Sequence, residues 1–264
     1  MAYVSEYGDG ASWVRGRILG KGRFGSVFRA TLKNPTSQQL PAVMAVKSSI
    51  NSYSSTLRHE KQIMNCLKGS SYIIQCYGAE ITVGFVPVYN LLLEYGSGGT
   101  LSDRIYESCR LSEDEVKEYT RSLLRGLYDI HSHGYVHCDL KPGNILLVPG
   151  KDFFTAKIGD FGLSKKGNKN KRRGCSWRGT HMYLSPESVK GYEQEAASDI
   201  WALGCVVLEM LTKKRPWKGT KEEILKRIVE GIELPEIPDW ISEDAREFVM
   251  LNLFREGAWE EVEC

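Results

Sequence analysis

Apolar positions along this 264-residue chain follow two rhythms. Up to about residue 95 short runs dominate. Trp13 to Ala30 reads as strand, glycine-rich turn and strand, and Val43-Met44-Ala45-Val46-Lys47 is an apolar strand closing on a lysine. Ile73 to Ala79 and Val86 to Tyr95 read as further strands, and Asn34 to Pro41 as a polar, turn-rich loop. One helix interrupts them: Leu57, Ile63, Met64 and Leu67 recur at helical spacing, with Glu60 on the same element. From Leu101 onward the pattern is mostly helical. Ser112 and Glu115 have the spacing of a capping box, and behind them Val116, Tyr119, Thr120, Leu123, Leu124, Leu127 and Ile130 repeat at three and four residues. Thr220 with Glu223 caps a further helix through Val229, stopped by Gly231; Leu234 to Pro238 is an extended connector, and Ser242 to Phe254 a last amphipathic helix. Met1 to Ser12 reads as a short, frayed leader.

Composition narrows the classes. Hydrophobic residues at 42% and charged residues at 26% are ordinary for a globular protein with a sizeable core. A net charge of +2 argues against a general polyanion binder. The seven cysteines are scattered with no C-x-x-C pair, which favours reduced thiols in cytosol or nucleus over a disulfide framework or zinc site. Met1 to Gly10 has neither a basic start nor an apolar stretch of a secretory signal, and runs such as Trp201 to Leu211 are too short and broken to span a bilayer.

The chemistry concentrates in His137-Cys138-Asp139-Leu140-Lys141-Pro142-Gly143-Asn144, followed by Asp160-Phe161-Gly162. An acid, a lysine and an amide share one short loop, and a second acid opens the next. Phosphoryl transfer needs such a set: a carboxylate for the hydroxyl nucleophile, oxygen ligands for Mg²⁺, and a cation against the moving phosphate. Upstream, Leu19-Gly20-Lys21-Gly22-Arg23-Phe24-Gly25-Ser26-Val27 has the G-x-G-x-x-G-x-V form, in which glycines let the backbone lie close over phosphates. Alone that signal also fits a dinucleotide-binding turn or a plain hairpin. The β-rich run Ser26 to Ala30 after it favours a hairpin flap over the helix that a dinucleotide site requires.

In this order the motifs resemble those of the eukaryotic protein kinases, and they cover Trp13 to about Arg255. The resemblance implies an α+β fold of two lobes: a small antiparallel sheet with one helix at about 13–95, a mainly helical lobe at 96–264, and ATP in the cleft. It implies that Asp139 orients the substrate hydroxyl, that Lys141 contacts the transferring phosphate, and that Asn144 and Asp160 hold Mg²⁺. Lys47, in a strand like V-A-I-K, would grip the α- and β-phosphates with Glu60 as its partner; a solvated lysine and a surface glutamate are the plain alternatives. ATP would further meet residues 19–27, Ala45, Leu93, Glu94, Gly96 and, under the adenine, Leu146. His137 would pack under Phe161, Asp199 would tie back to the catalytic loop, and His131 and His133 read as structural. Lys141 and Thr180, the latter bridging Asp139 and Lys141, mark the serine/threonine class. Trp13-Val14-Arg15-Gly16, His137 to Pro142, and Ile237-Pro238 before Ser242 to Arg246 narrow it to a likeness with plant mitogen-activated protein kinase kinase kinases. That implies protein substrates that are themselves kinases, namely MAP kinase kinases.

Two departures stand out. Cys138 occupies the place of the arginine that receives an activation-loop phosphate, so either loop phosphorylation matters less here or Lys165, Arg173 or Arg178 receives it. Ser164, Ser176 and Thr180 are the candidate acceptors in an activation segment holding seven cations against Asp160 and Glu187. After Arg255 the sequence leaves the family pattern, so the large lobe is expected to be truncated and Glu187 to lack its arginine. If buried, such a glutamate would cost about 3–5 kcal/mol. The competing function is therefore a kinase-shaped binding module with poor turnover. A nicotinamide-dependent oxidoreductase leaves the two acidic loops unexplained, and nucleic-acid binding through the basic segment lacks interleaved aromatics beyond Trp177.

Overall fold

The computed structural model describes residues 7–22, 25–34, 40–107, 109–151, 153–167, 176–230 and 235–253. The chain divides into two compact units, one of residues 1–97 with 160–162, the other of 98–159 with 163–264. The break falls two residues beyond the boundary read from the sequence, and the Asp160-Phe161-Gly162 turn joins the first unit.

The first unit is a five-stranded antiparallel sheet of β1 (Trp13–Gly22), β2 (Gly25–Leu32), β3 (Val43–Ile50), β4 (Cys76–Thr82) and β5 (Val88–Leu93) in the order β1-β2-β3-β5-β4, with α1 (Ser55–Cys66). Alternation sorts its faces: Trp13, Ala30, Leu32, Met44, Val46 and Leu92 form one buried cluster. The register pairs Val27 with Lys47 and Ala45 with Leu93, so these four lie together on the opposite face. The front of α1 is tied down: Arg58 donates to Ser54 Oγ (3.1 Å) and Asn51 Oδ1 (2.7 Å) and lies over the Tyr89 ring. The leader is not frayed over residues 7–12. Arg15 donates to the Gly8 carbonyl, Ser48 Oγ and Asn90 Oδ1, and its backbone N–H to Asp9 Oδ1. Its guanidinium stacks against Tyr7, Trp13 and Phe28. Burial lowers its pKa to about 10 despite Asp9, so it stays charged at neutral pH.

The second unit holds α2 (Leu101–Glu107), α3 (Glu113–Ser132), β6 (Tyr135–Val136), β7 (Ile145–Pro149), β8 (Phe154–Ile158), β9 (Lys165–Lys166), α4 (Pro186–Gly191), α5 (Ala196–Thr212), α6 (Lys221–Glu230) and α7 (Glu243–Leu253). Hairpin β7–β8 and pair β6–β9 carry the loops of interest. Helix α5 is buried almost throughout, which its apolar run foretells, and α3 and α7 pack against it. Ser112 Oγ caps α3 by accepting from Glu115 N–H, but Glu115 does not close the box; its carboxylate takes Arg104 and the Tyr119 hydroxyl. The box at α6 is complete, with Thr220 N–H to Glu223 and Glu223 N–H to Thr220 Oγ1. Among the described residues no helix is long and apolar enough to cross a membrane.

Glu187 is exposed and accepts from Ser198 Oγ at 3.2 Å. The penalty for a buried, unpaired carboxylate therefore does not arise. The departure after Arg255 and the stop at Gly231 lie outside the described residues.

Candidate active site

In the first unit, Lys47 projects from β3 and is 7% exposed. Its ammonium donates to Glu60 Oε2 at 2.7 Å and Asp160 Oδ1 at 2.9 Å. Glu60 is 1% exposed on the buried face of α1, so it is a partner and not a surface residue. Burial works against the Lys47 charge, but Glu60 and then Asp160 outweigh it and hold its pKa above the ordinary lysine value. The lysine is a fixed cation beside a carboxylate that stays 40% exposed at Asp160.

The glycine loop is the β1–β2 hairpin. Gly25 has φ +143°, and a Cβ there would stand 2.3 Å from the Ser48 carbonyl oxygen, so the turn itself demands glycine. At Gly20 an added Cβ meets nothing within 4 Å. Bareness there is not required by the protein's own packing. Leu19, Gly20, Lys21 and Gly22 close β1 and Ser26 and Val27 open β2, while Arg23 and Phe24 lie outside the described residues. Beyond β5, Glu94 is locked to Gln75: its N–H donates to the Gln75 carbonyl and its carboxylate accepts the Gln75 N–H. Gly96 follows two residues later in the same irregular stretch.

In the second unit the catalytic loop runs between β6 and β7. Asp139 is its centre. Oδ1 accepts from Thr180 Oγ1 at 2.8 Å, and Oδ2 accepts from Lys141 Nζ at 2.9 Å and Asn144 Nδ2 at 3.1 Å. Lys141 also donates to Thr180 Oγ1 at 2.8 Å, so Thr180 bridges the acid and the lysine. Gly179 makes this approach possible: φ is +102°, and a Cβ would stand 2.3 Å from the Cys138 carbonyl oxygen. Asn144 spends its amide hydrogens on the Asp139 carbonyl (2.8 Å) and carboxylate, which orients its oxygen away from them. Leu146 lies on β7 opposite Lys157 and bridges to Thr100.

The loop is held by Asp199, 1% exposed at the start of α5. One of its oxygens accepts the His137 N–H (2.8 Å) and His131 Nε2 (2.9 Å), the other the Cys138 N–H (3.0 Å). Cys138 sits at φ 66° and Asp160 at φ 61°, left-handed conformations that cost on the order of 1–3 kcal/mol each and persist only when over-determined. His137, fully buried, donates from Nε2 to the Gly159 carbonyl (3.0 Å), and its Nδ1 accepts the Asp139 N–H. Both ring nitrogens are thus occupied by the backbone of its own unit. Burial, then Asp199, pushes the Cys138 thiol up to about 12, so it is inert packing and no nucleophile.

Of the activation segment, Ser164 is fully buried and donates to the His137 carbonyl at 3.0 Å. That hydroxyl is structural in this conformation, and Thr180 is engaged as above; Ser176 is the exposed candidate. Lys165 pairs with Glu195 at 3.2 Å, and the Arg178 backbone is clasped by the Gln194 side chain at both N–H and carbonyl. Arg173 lies outside the described residues.

One group escaped sequence reasoning. Glu209, 2% exposed, accepts from the hydroxyls of Tyr106 (2.5 Å) and Tyr183 (2.6 Å) and so ties α5 to α2 and to the loop after Thr180. Burial pushes its carboxyl pKa up, against those two hydroxyls. The available signal was a lone charge inside the apolar run Ile200 to Leu211.

A carboxylate bridged to a lysine by a threonine, and a buried lysine pinned between two acids, define a phosphotransferase acting on hydroxyl groups. Residues 13–255 match the protein kinase domain family. Similar proteins from Arabidopsis thaliana include Mitogen-activated protein kinase kinase kinase 20, 40% identical over 248 residues, covering 90% of this chain and 71% of the relative. Mitogen-activated protein kinase kinase kinase 17 is 38% identical over 253 residues, 93% of this chain and 65% of the relative. Mitogen-activated protein kinase kinase kinase YODA is 34% identical over 257 residues, 94% of this chain and 28% of the relative. The chain belongs to the protein kinase family and is an ATP-dependent protein serine/threonine kinase.

Proposed function

We propose that the chain transfers the γ-phosphate of ATP to serine or threonine of MAP kinase kinases. The observation that carries the chemistry is the Asp139–Thr180–Lys141 triangle, with every side 2.8–2.9 Å. Asp139 orients the incoming hydroxyl and accepts its proton. The hydroxyl oxygen bonds to the γ-phosphorus as the bond to the bridging oxygen breaks, leaving ADP. Lys141 sets its charge against the transferring group, and Lys47, fixed by Glu60, holds the phosphates that stay behind.

Asn144 and Asp160 fit the hard-oxygen chemistry of Mg²⁺, one with a carboxamide oxygen turned from its own hydrogen-bond partners and one with a part-exposed carboxylate. When bound, magnesium neutralises phosphate charge.

The substrate class rests on the relatives, whose names place them as kinases of MAP kinase kinases. The scattered cysteines, with no C-x-x-C pair, favour a reducing compartment, cytosol or nucleus. The test is a panel of catalytically dead MAP kinase kinases with labelled ATP. Label on one or more at serine or threonine supports the assignment. Label on generic protein substrates but on none of the panel would remove the substrate class and leave the kinase.

A further inference from the structure

The stretch Lys213-Lys214-Arg215-Pro216-Trp217-Lys218-Gly219-Thr220-Lys221 carries five cations and no acid, and no catalytic role uses it. It lines a cavity of about 170 Å³ together with the end of α5, α6 and the Pro235–Pro238 connector. Lys214, Arg215, Lys218 and Arg227 stand on its wall, over the buried Pro216 and Trp217. Among the described residues Glu236 is the one carboxylate lining it. Its contact with Lys218 is 4.0 Å between side chains 77% and 76% exposed, which makes that pair weak. Arg227 and Arg215 also feel Glu223 and Glu209 respectively. Lys214 and Lys218, both exposed, therefore supply much of the positive field at the rim.

Size selects the guest. At about 30 Å³ per water the cavity holds roughly six waters. It is smaller than the 300–1,000 Å³ typical of small-molecule pockets. An acidic side chain with its adjoining peptide fits that volume. Position selects the partner. Helix α6 packs on α4 and on the turn His181–Tyr183 that follows Thr180. Burial and then Lys221 lower the His181 pKa, with Arg215 adding to them and Glu222 opposing.

We propose that this basic pocket docks an acidic segment of the protein substrate while the target hydroxyl lies at Asp139. The proposal rests on the kinase assignment for its consequence and on charge complementarity for its partner. It makes Lys214 and Lys218 specificity-determining residues that touch no reacting atom.

The experiment compares the chain with Lys214→Glu/Lys218→Glu and with a control of equal charge change, Lys117→Glu/Lys151→Glu. Two peptides share one target serine; one carries a Glu/Asp flank, the other an alanine flank. For the docking variant, KM for the acidic peptide should rise about tenfold, equivalent to about 1.4 kcal/mol, with kcat unchanged. The alanine peptide and the control variant should not change. Direct binding of the fluorescent acidic peptide to each variant made in an Asp139→Asn background should weaken with salt and with the docking substitutions. It should hold or tighten when one Glu becomes phosphoserine. That binding arm decides the proposal even if no peptide is phosphorylated, an outcome that would instead count against the kinase assignment. Equal KM for the two peptides on the unsubstituted chain, or equal loss in both double variants, would overturn it.

Discussion

Replacing Asp199 by asparagine changes one atom type at the hub beneath the catalytic loop. The carboxylate accepts three hydrogen bonds at 2.8–3.0 Å while 1% exposed. An asparagine oxygen can keep the His137 and His131 contacts, but its amide nitrogen then faces the Cys138 N–H, donor against donor. A hydrogen bond to a charged acceptor is worth about 1.5–3 kcal/mol, and leaving a buried donor unmet costs about 1–3 kcal/mol. These overlap, so the expected loss is about 2–4 kcal/mol. At about 2–4 °C per kcal/mol for a chain near this size, Tm falls by at least about 4 °C. The N–H released belongs to Cys138, whose left-handed backbone immediately precedes Asp139. A carboxylate displaced by about 1 Å loses on the order of 10²-fold in rate. Thermal melts and initial-rate kinetics on a peptide substrate measure both. A variant melting within 2 °C of the parent with kcat within threefold would refute the claim that Asp199 sustains this loop.

Three further outcomes follow from the same geometry. Glu60→Ala strands the buried Lys47 ammonium with Asp160 alone; breaking a buried pair costs about 3–5 kcal/mol. Urea titration should show that loss, with KM for ATP raised. Because Lys165–Glu195 and Arg178–Gln194 already hold the two ends of the activation segment, phosphatase treatment and Ser176→Ala should leave activity within twofold. Glu195→Ala should lower it several-fold, and the opposite pattern would make a loop phosphate the organiser. Glu209 keeps its proton to higher pH when folded than when unfolded. Between its ordinary and raised pKa the folded state binds more protons, so its contribution to stability is greatest below that window and falls as pH rises through it. Glu209→Gln should flatten that decline in melts across pH 4–8, and an unchanged slope would count against it.

The elements legible in the sequence were those with a strong period or a motif bound to chemistry. Leu57, Ile63 and Met64 mark the buried face of α1, and Val116, Tyr119, Thr120, Leu123, Leu127 and Ile130 that of α3, whereas Leu124 from the same repeat is exposed. The short polar loops carried their roles in residue type: Asp139, Lys141, Asn144 and Thr180 meet as their order suggests, as do Lys47, Glu60 and Asp160. What stayed hidden depends on partners distant in sequence. Glu115 leaves its capping box because Arg104, eleven residues back, offers a stronger bond. Residues 7–12 look like a loose polar leader until Arg15 is seen to reach Ser48 and Asn90. Ser164 reads as a candidate acceptor in a charged segment, yet beside the β6–β9 pairing it is fully buried. The exposure of Glu187 likewise follows from where α4 meets α5, which no local pattern encodes.

The most direct measurement is phosphate transfer by the chain and its Asp139→Asn variant, each with labelled ATP, Mg²⁺ and a protein substrate. Asparagine keeps the size of the side chain but loses the carboxylate that Thr180, Lys141 and Asn144 surround. Label on serine or threonine with the parent chain, falling at least about 10²-fold in the variant while both bind ATP, is the predicted result. Equal labelling by the two would contradict the role given to Asp139. No labelling by either, with both folded and binding ATP, would contradict catalysis by this chain and favour a binding module.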